Sequence, residues 1–93
     1  MPETFSEPYG MVHSTVVQES FANLEASAII PVTRKLFELQ SNPRPEGAES
    51  DEQFGPGMTR VMINDINPPY FLIYRIDEEA KRVVVMAIVQ KWW

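Results

Sequence analysis

The sequence predicts an α+β fold in which a small antiparallel sheet packs against a two-helix hairpin. Three observations carry this. Two segments in the first half space their apolar residues at helical period. The last third holds three runs rich in β-branched and aromatic residues, separated by turn-forming clusters, and reads as a three-strand meander. A short strand-like stretch, Met11 to Thr15, precedes the helices and adds an N-terminal strand.

Taken in order, residues 1–10 contain two prolines, a glycine and two glutamates. They read as an irregular arm ahead of a single domain over 11–93. Val17 to Ser27 reads as a helix, because Val17, Phe21, Leu24 and Ala28 form one apolar stripe. Thr15 and Gln18 have capping-box spacing, so the hydroxyl caps while the amide reaches back. A second helix spans Pro31 to Gln40. Its proline suits a first helical turn, where no N–H is needed. Val32, Leu36 and Leu39 make its stripe, and Phe37 widens it. Asn42-Pro43 ends it, since a residue before proline avoids helical geometry. Residues 43–57, rich in Pro, Gly and acid, read as a solvated loop. Met58–Ile63, Tyr70–Ile76 and Arg82–Trp92 are the strands. They are separated by the turn 64–69 and the hairpin loop Asp77–Lys81. In the middle strand Tyr70, Leu72, Tyr74 and Ile76 share one face, while Phe71, Ile73 and Arg75 share the other. Val83 to Val89 is continuously apolar, so the last strand is expected to be central and covered on both faces.

Composition narrows the function. A chain of 93 residues has room for one domain and for no deep cofactor cleft. It contains no cysteine, which excludes a disulfide scaffold, a thiolate metal site and a catalytic thiol. A single histidine, His13, excludes a multi-histidine metal site. Neither a metal nor a cofactor is expected. With 13 acidic and 8 basic side chains the net charge is −5, so the average field repels nucleic acid. No apolar run approaches the ~18 residues of a membrane span. Met1-Pro2-Glu3-Thr4 does not start a signal peptide. A cytoplasmic protein is expected.

Three stretches, in this order, resemble the RelE/ParE superfamily of toxin–antitoxin toxins. Leu39-Gln40-Ser41-Asn42-Pro43-Arg44-Pro45-Glu46-Gly47 is similar to the family's L-x-x-N-P-R-P-x-G. Tyr70-Phe71-Leu72-Ile73-Tyr74-Arg75-Ile76-Asp77 is similar to Y-R-V-L-Y-R-I-D. Lys81-Arg82-Val83-Val84-Val85-Met86-Ala87-Ile88-Val89 is similar to the start of the family's K-R-V-V-V-L-A-I-G-H-R-R, which ends in a basic pair. The resemblance covers about residues 11–92. It implies a small antiparallel sheet with a helical hairpin across it, and an antitoxin whose tail wraps both. It also implies one of two targets. RelE-type members cut messenger RNA on the ribosome with basic groups and often a terminal Tyr or His. ParE-type members inhibit DNA gyrase and lack that set.

Metal-free cleavage of RNA needs a base, cations at the pentavalent phosphate and an acid for the leaving oxygen. Where nuclease members carry an arginine after the first tyrosine, this chain has Phe71. Arg60, one strand earlier, is the replacement candidate. The final basic pair is reduced to Lys91, with Trp92 in the second position and Trp93 after it. If the chain is an enzyme, it is a metal-independent endoribonuclease using Arg60, Arg75 and Lys91. The departures from the family pattern instead favour a chain that is catalytically degenerate or ParE-like and acts through protein binding. Phe37, Phe71, Trp92 and Trp93 are then the partner-binding candidates. A structural or interaction domain without toxicity is a third reading.

The remaining features have plainer readings. His13 is expected to be partly exposed and unpartnered. Tyr70 and Tyr74 are expected to pack in the core with hydroxyls at the rim, rather than stack bases. Arg75 is expected in a surface ion pair across strands. Arg34 and Lys35 belong to a solvated helix face. Lys81-Arg82 balances Asp77-Glu78-Glu79 in the hairpin. The acidic run Glu46–Glu52 is a solvated loop, with mimicry of phosphate or docking of a basic partner as its sharper alternative.

Overall fold

The structure is a computed structural model that describes residues 9–66 and 68–90. Most of the predicted arm, together with Lys91, Trp92 and Trp93, lies outside the described residues. The chain enters through β1 (Gly10–His13) and continues into α1 (Thr15–Ala22) and α2 (Ala26–Ser41). A two-residue strand β2 (Glu49–Ser50) and a 3₁₀ turn (Glu52–Phe54) follow. Next come β3 (Met58–Ile63), β4 (Tyr70–Asp77) and β5 (Arg82–Gln90). The sheet order is β1-β5-β4-β3-β2.

The meander β3-β4-β5 is antiparallel, as its short turns require. β1, however, runs parallel to β5, so the sheet is mixed. Apolar period reports strand and face but not direction, and the long connection from β1 to β5, through both helices and three strands, permits either. Gly10, assigned to the arm by sequence, is the first residue of this strand.

Ser14 caps α1, where Thr15 was expected. Its hydroxyl accepts from the Val17 N–H at 3.2 Å. The sheet dictates this choice. Ser14 N–H donates to the Val85 carbonyl at 3.1 Å, holding the residue extended as a cap requires. Gln18 does reach back, to the His13 carbonyl at 3.2 Å. α1 stops at Ala22, where the Asn23 side chain donates to the Glu19 carbonyl at 3.0 Å. α2 begins five residues before Pro31, which lies inside it. The missing N–H costs one helical bond, to the carbonyl of Ser27, which is exposed. The continuous stripe Ala28, Val32, Leu36, Leu39 carries the helix through the proline.

That stripe packs on the sheet face formed by Val61, Ile63, Leu72, Tyr74, Val83 and Val85. A bulge fixes which β5 residues join it. Ile73 pairs Ala87 and Tyr74 pairs Val85, leaving Met86 unpaired. The inward set therefore shifts from Val83 and Val85 to Ile88. The expectation that β5 is covered on both faces is corrected here. β5 is central, but Val84, Ala87 and Val89 are half-buried and Met86 is exposed.

Tyr74 is fully buried, and its hydroxyl donates to the Pro43 carbonyl at 2.6 Å. The hydroxyl is thus in the core, where a rim position was expected. Burial pushes its pKa up to about 12. We predict that Tyr74→Phe costs about 1–2 kcal/mol in urea denaturation, because the Pro43 carbonyl loses its donor. In the wild type, the tyrosine stays neutral in the fold while the unfolded chain ionises near pH 10. Stability therefore falls as pH rises from about 10 to 12, and the phenylalanine variant shows a shallower fall.

Candidate functional site

Two surfaces on opposite sides of the sheet are candidates. The outer face is set by register. Arg60 pairs Ile73, Met62 pairs Phe71 and Met58 pairs Arg75. These six lie away from the helices, because the alternating Val61, Ile63 and Leu72 lie in the helix-side core. Arg60 and Arg75 therefore share this face as diagonal neighbours, with Cα atoms about 7–8 Å apart. Arg60 lies 5.4 Å from the centroid of the Phe71 ring. It bonds Glu49, its cross-strand neighbour, at 2.9 Å and pairs with Asp51 at 3.6 Å. Arg75 is exposed and forms no ion pair among the described residues. The expected acid across the strand is missing because the register places Met58 and Val84 there.

The acidic loop is not simply solvated. Asp51 is 7% exposed. Its carboxylate accepts from the Gln53 N–H at 3.3 Å and caps the 3₁₀ turn. Its own N–H donates to the Met58 carbonyl at 2.9 Å, closing the loop on β3. For phosphodiester chemistry this face offers Arg75 as its one unpaired guanidinium among the described residues. Tyr70, Tyr74 and His13 all belong to the helix side, so no described acid–base group of those types joins the two arginines.

The second surface is a groove of about 490 Å³ between β1, α1 and α2. Met11, Phe21, Leu36 and Phe37 line it, with His13, Gln18, Thr33 and Gln40 at its polar positions. Phe37 is 67% exposed and continues the apolar surface to Ile29 and Ile30 on the outside of α2. Phe37 and Phe71 thus sit on opposite sides of the molecule and form no common patch. The sequence carried a signal for this outward apolar surface, of which Phe37 also lines the groove. Val16, Ile29, Ile30 and Phe37 exceed what one core-facing stripe needs.

A polar cluster lies where β1 begins. The Glu78 carboxylate accepts from Arg44 at 2.6 Å and from the Tyr9 hydroxyl at 2.7 Å. These bonds hold the Glu78 carboxyl below its ordinary range, and the Glu78 bond raises Arg44. They tie Tyr9 and the loop after α2 to the β4–β5 turn. Elsewhere Lys35 pairs with Glu38 at 2.7 Å, and Arg82 with Asp77 at 3.7 Å. Among the described residues no group of three His, Asp or Glu side chains is placed to hold a metal ion. No described helix is long and apolar enough to cross a membrane.

By sequence, the chain matches no family model and none of the curated proteins. By structure it is similar to the Escherichia coli RelBE toxin–antitoxin complex, with TM-score 0.75 and 18% identity. That match covers 91% of this chain and 99% of the other. A second match is the Mycobacterium tuberculosis complex RelBE2, at TM-score 0.73 and 21% identity over 96% and 98% of the two chains. A third is the YoeB/ParE toxin from Agrobacterium tumefaciens, at TM-score 0.71 and 12% identity over 89% and 99%. The fold is therefore of the RelE/ParE toxin type.

Arg60→Met should cost about 1 kcal/mol in urea denaturation, because it leaves the Asp51 carboxylate, 6% exposed, without its cation. Arg75→Met should stay within about 0.5 kcal/mol of wild type. Equal effects would show that the Arg60 contacts carry no structural weight.

Proposed function

We propose that the chain acts by binding protein, as a RelE/ParE-like member of a toxin–antitoxin module. In this reading it is catalytically degenerate or, like ParE, directed at DNA gyrase. Its partner is an antitoxin segment. The fold supports the type, since the E. coli and M. tuberculosis neighbours are toxin–antitoxin complexes. One observation carries the choice against catalysis. On the outer sheet face Phe71 stands where the nuclease pattern has an arginine, and the nearby Arg60 is engaged by Glu49 and Asp51. The groove beside Phe37 supports the binding half of the proposal, because a short amphipathic helix fits such an apolar concavity.

The second reading is a ribosome-dependent messenger RNA endoribonuclease. Its support is that Arg60 and Arg75 share one face. Induced expression in a bacterial host separates the two. We expect messenger RNA to keep intact ends, with growth either normal or arrested together with a loss of DNA supercoiling. New 5′ ends within codons, abolished by Arg60→Ala, would overturn the binding reading and establish the nuclease.

A further inference from the structure

We propose that a polar cleft on the flank of α2 binds a basic amino acid with a free carboxylate. The cleft has a volume of about 360 Å³, at the small end of ligand pockets. One wall is a single face of α2, where Pro31, Arg34, Lys35 and Glu38 recur at helical spacing. The rest of the lining comes from Glu46 and Gly47 in the turn after α2, and from Ile63 and Asp65 at the end of β3. None of these residues lines the groove beside Phe37, and none is Arg60 or Arg75. The site is therefore separate from the protein-binding role and from the outer sheet face.

The charges decide what the cleft can hold. Lys35 and Glu38 satisfy each other at 2.7 Å. Arg34, Glu46 and Asp65 form no ion pair among the described residues, so they stand too far apart to pair with one another. The cleft thus offers one unpaired cation and two unpaired anions. A ligand that satisfies all three carries one anion and two cations. Free lysine and arginine do, with an α-carboxylate, an α-ammonium and a side-chain cation at neutral pH. Their methylene stems suit the apolar lining of Pro31 and Ile63. The wall beside Glu46 is fixed before any ligand arrives. The Ala48 N–H donates to the Pro45 carbonyl at 3.0 Å, closing a turn with Gly47 in its third position. That position needs the positive φ that Gly47 adopts, 91°. Nothing lies within 4 Å of where a Cβ would stand on Gly47, so the turn leaves the cleft open.

The test is a titration followed by amide chemical shifts at low ionic strength, with L-lysine and three analogues that each lack one of its charges. L-Lysine should shift the amides of Gly47 and Asp65 saturably at millimolar concentration, while those of Met11 and Phe37 in the groove stay unmoved. L-Lysinamide, without the carboxylate, should bind about threefold to fivefold more weakly, the effect of one exposed ion pair. Arg34→Gln should weaken L-lysine by the same factor and abolish the difference between these two ligands. Nα-acetyl-L-lysine lacks the α-ammonium and L-norleucine lacks the side-chain amine. Both should bind more weakly than L-lysine, and Glu46→Gln and Asp65→Asn should each abolish one of these two differences. Arg34, Glu46 and Asp65 are exposed, so the variants keep the fold. Glu19→Gln removes an acid outside the cleft and should change none of the affinities. The proposal fails if L-lysine gives no saturable shift at Gly47 and Asp65, or if L-lysinamide matches L-lysine on the wild type. It also fails if Arg34→Gln leaves their difference intact, or if Glu19→Gln weakens L-lysine as much as the cleft variants do.

Discussion

The hydrogen bond from Tyr74 to the Pro43 carbonyl determines how the two halves of this molecule meet. Tyr74 lies on the helix-facing side of a central strand and is fully buried. Its hydroxyl cannot be left without a partner there. The partner is the backbone just beyond the end of α2, bonded at 2.6 Å. Pro43 and Pro45 are themselves buried, so the chain leaves the helix along one stiff path. The helix axis is thereby fixed against the sheet at its C-terminal end. Arg44, between the two prolines, reaches outward to Glu78 and adds a second tie from the same loop. The two sequence stretches around residues 43 and 74 are thus two ends of one structural contact.

Fixing α2 in this way divides the molecule into two sides with different chemistry. The stripe Ala28, Val32, Leu36, Leu39 is spent on the core, and Phe37, Ile29 and Ile30 are left facing outward. With β1 and α1, Phe37 frames an apolar groove, and Ile29 and Ile30 extend the apolar surface beside it. The other side of the sheet is polar at its β2–β3 edge and holds the two arginines. An arginine engaged by carboxylates has fewer free N–H groups and less positive field to offer phosphate oxygens. An apolar concavity flanked by an exposed phenylalanine favours a peptide. The difference between the two faces follows from the register, since a slip of one residue in β3 would exchange Arg60 with Val61 across the sheet.

Much of this was legible in the sequence. β3 has its predicted limits, because Met58–Ile63 is bounded by a glycine and by a turn cluster. β4 extends its prediction by one residue. The order of elements and the helical hairpin follow from period alone. What was not legible depended on distant partners. The cap of α1 moved to Ser14 because β5 holds that residue extended. α2 started earlier because tertiary packing outweighs one lost hydrogen bond at Pro31. Asp51 is buried among loop residues that composition alone would leave in water. The Met86 bulge changes the inward face of β5 and has no mark in a run of valines. Among the candidate residues, Arg60 and Arg75 come together, Phe37 and Phe71 do not, and the groove's depth needed Met11 and Phe21 from separate elements.

The Tyr74–Pro43 bond fastens the end of α2 to the sheet. Native-state hydrogen exchange on the Tyr74→Phe variant tests it residue by residue. The amides of Gln40, Ser41 and Asn42 should speed up by more than the loss of global stability explains. Amides of Leu72 and Val83, in the central strands, should track that global loss. Uniform acceleration across helix and sheet, or unchanged exchange at residues 40–42, would contradict the claim.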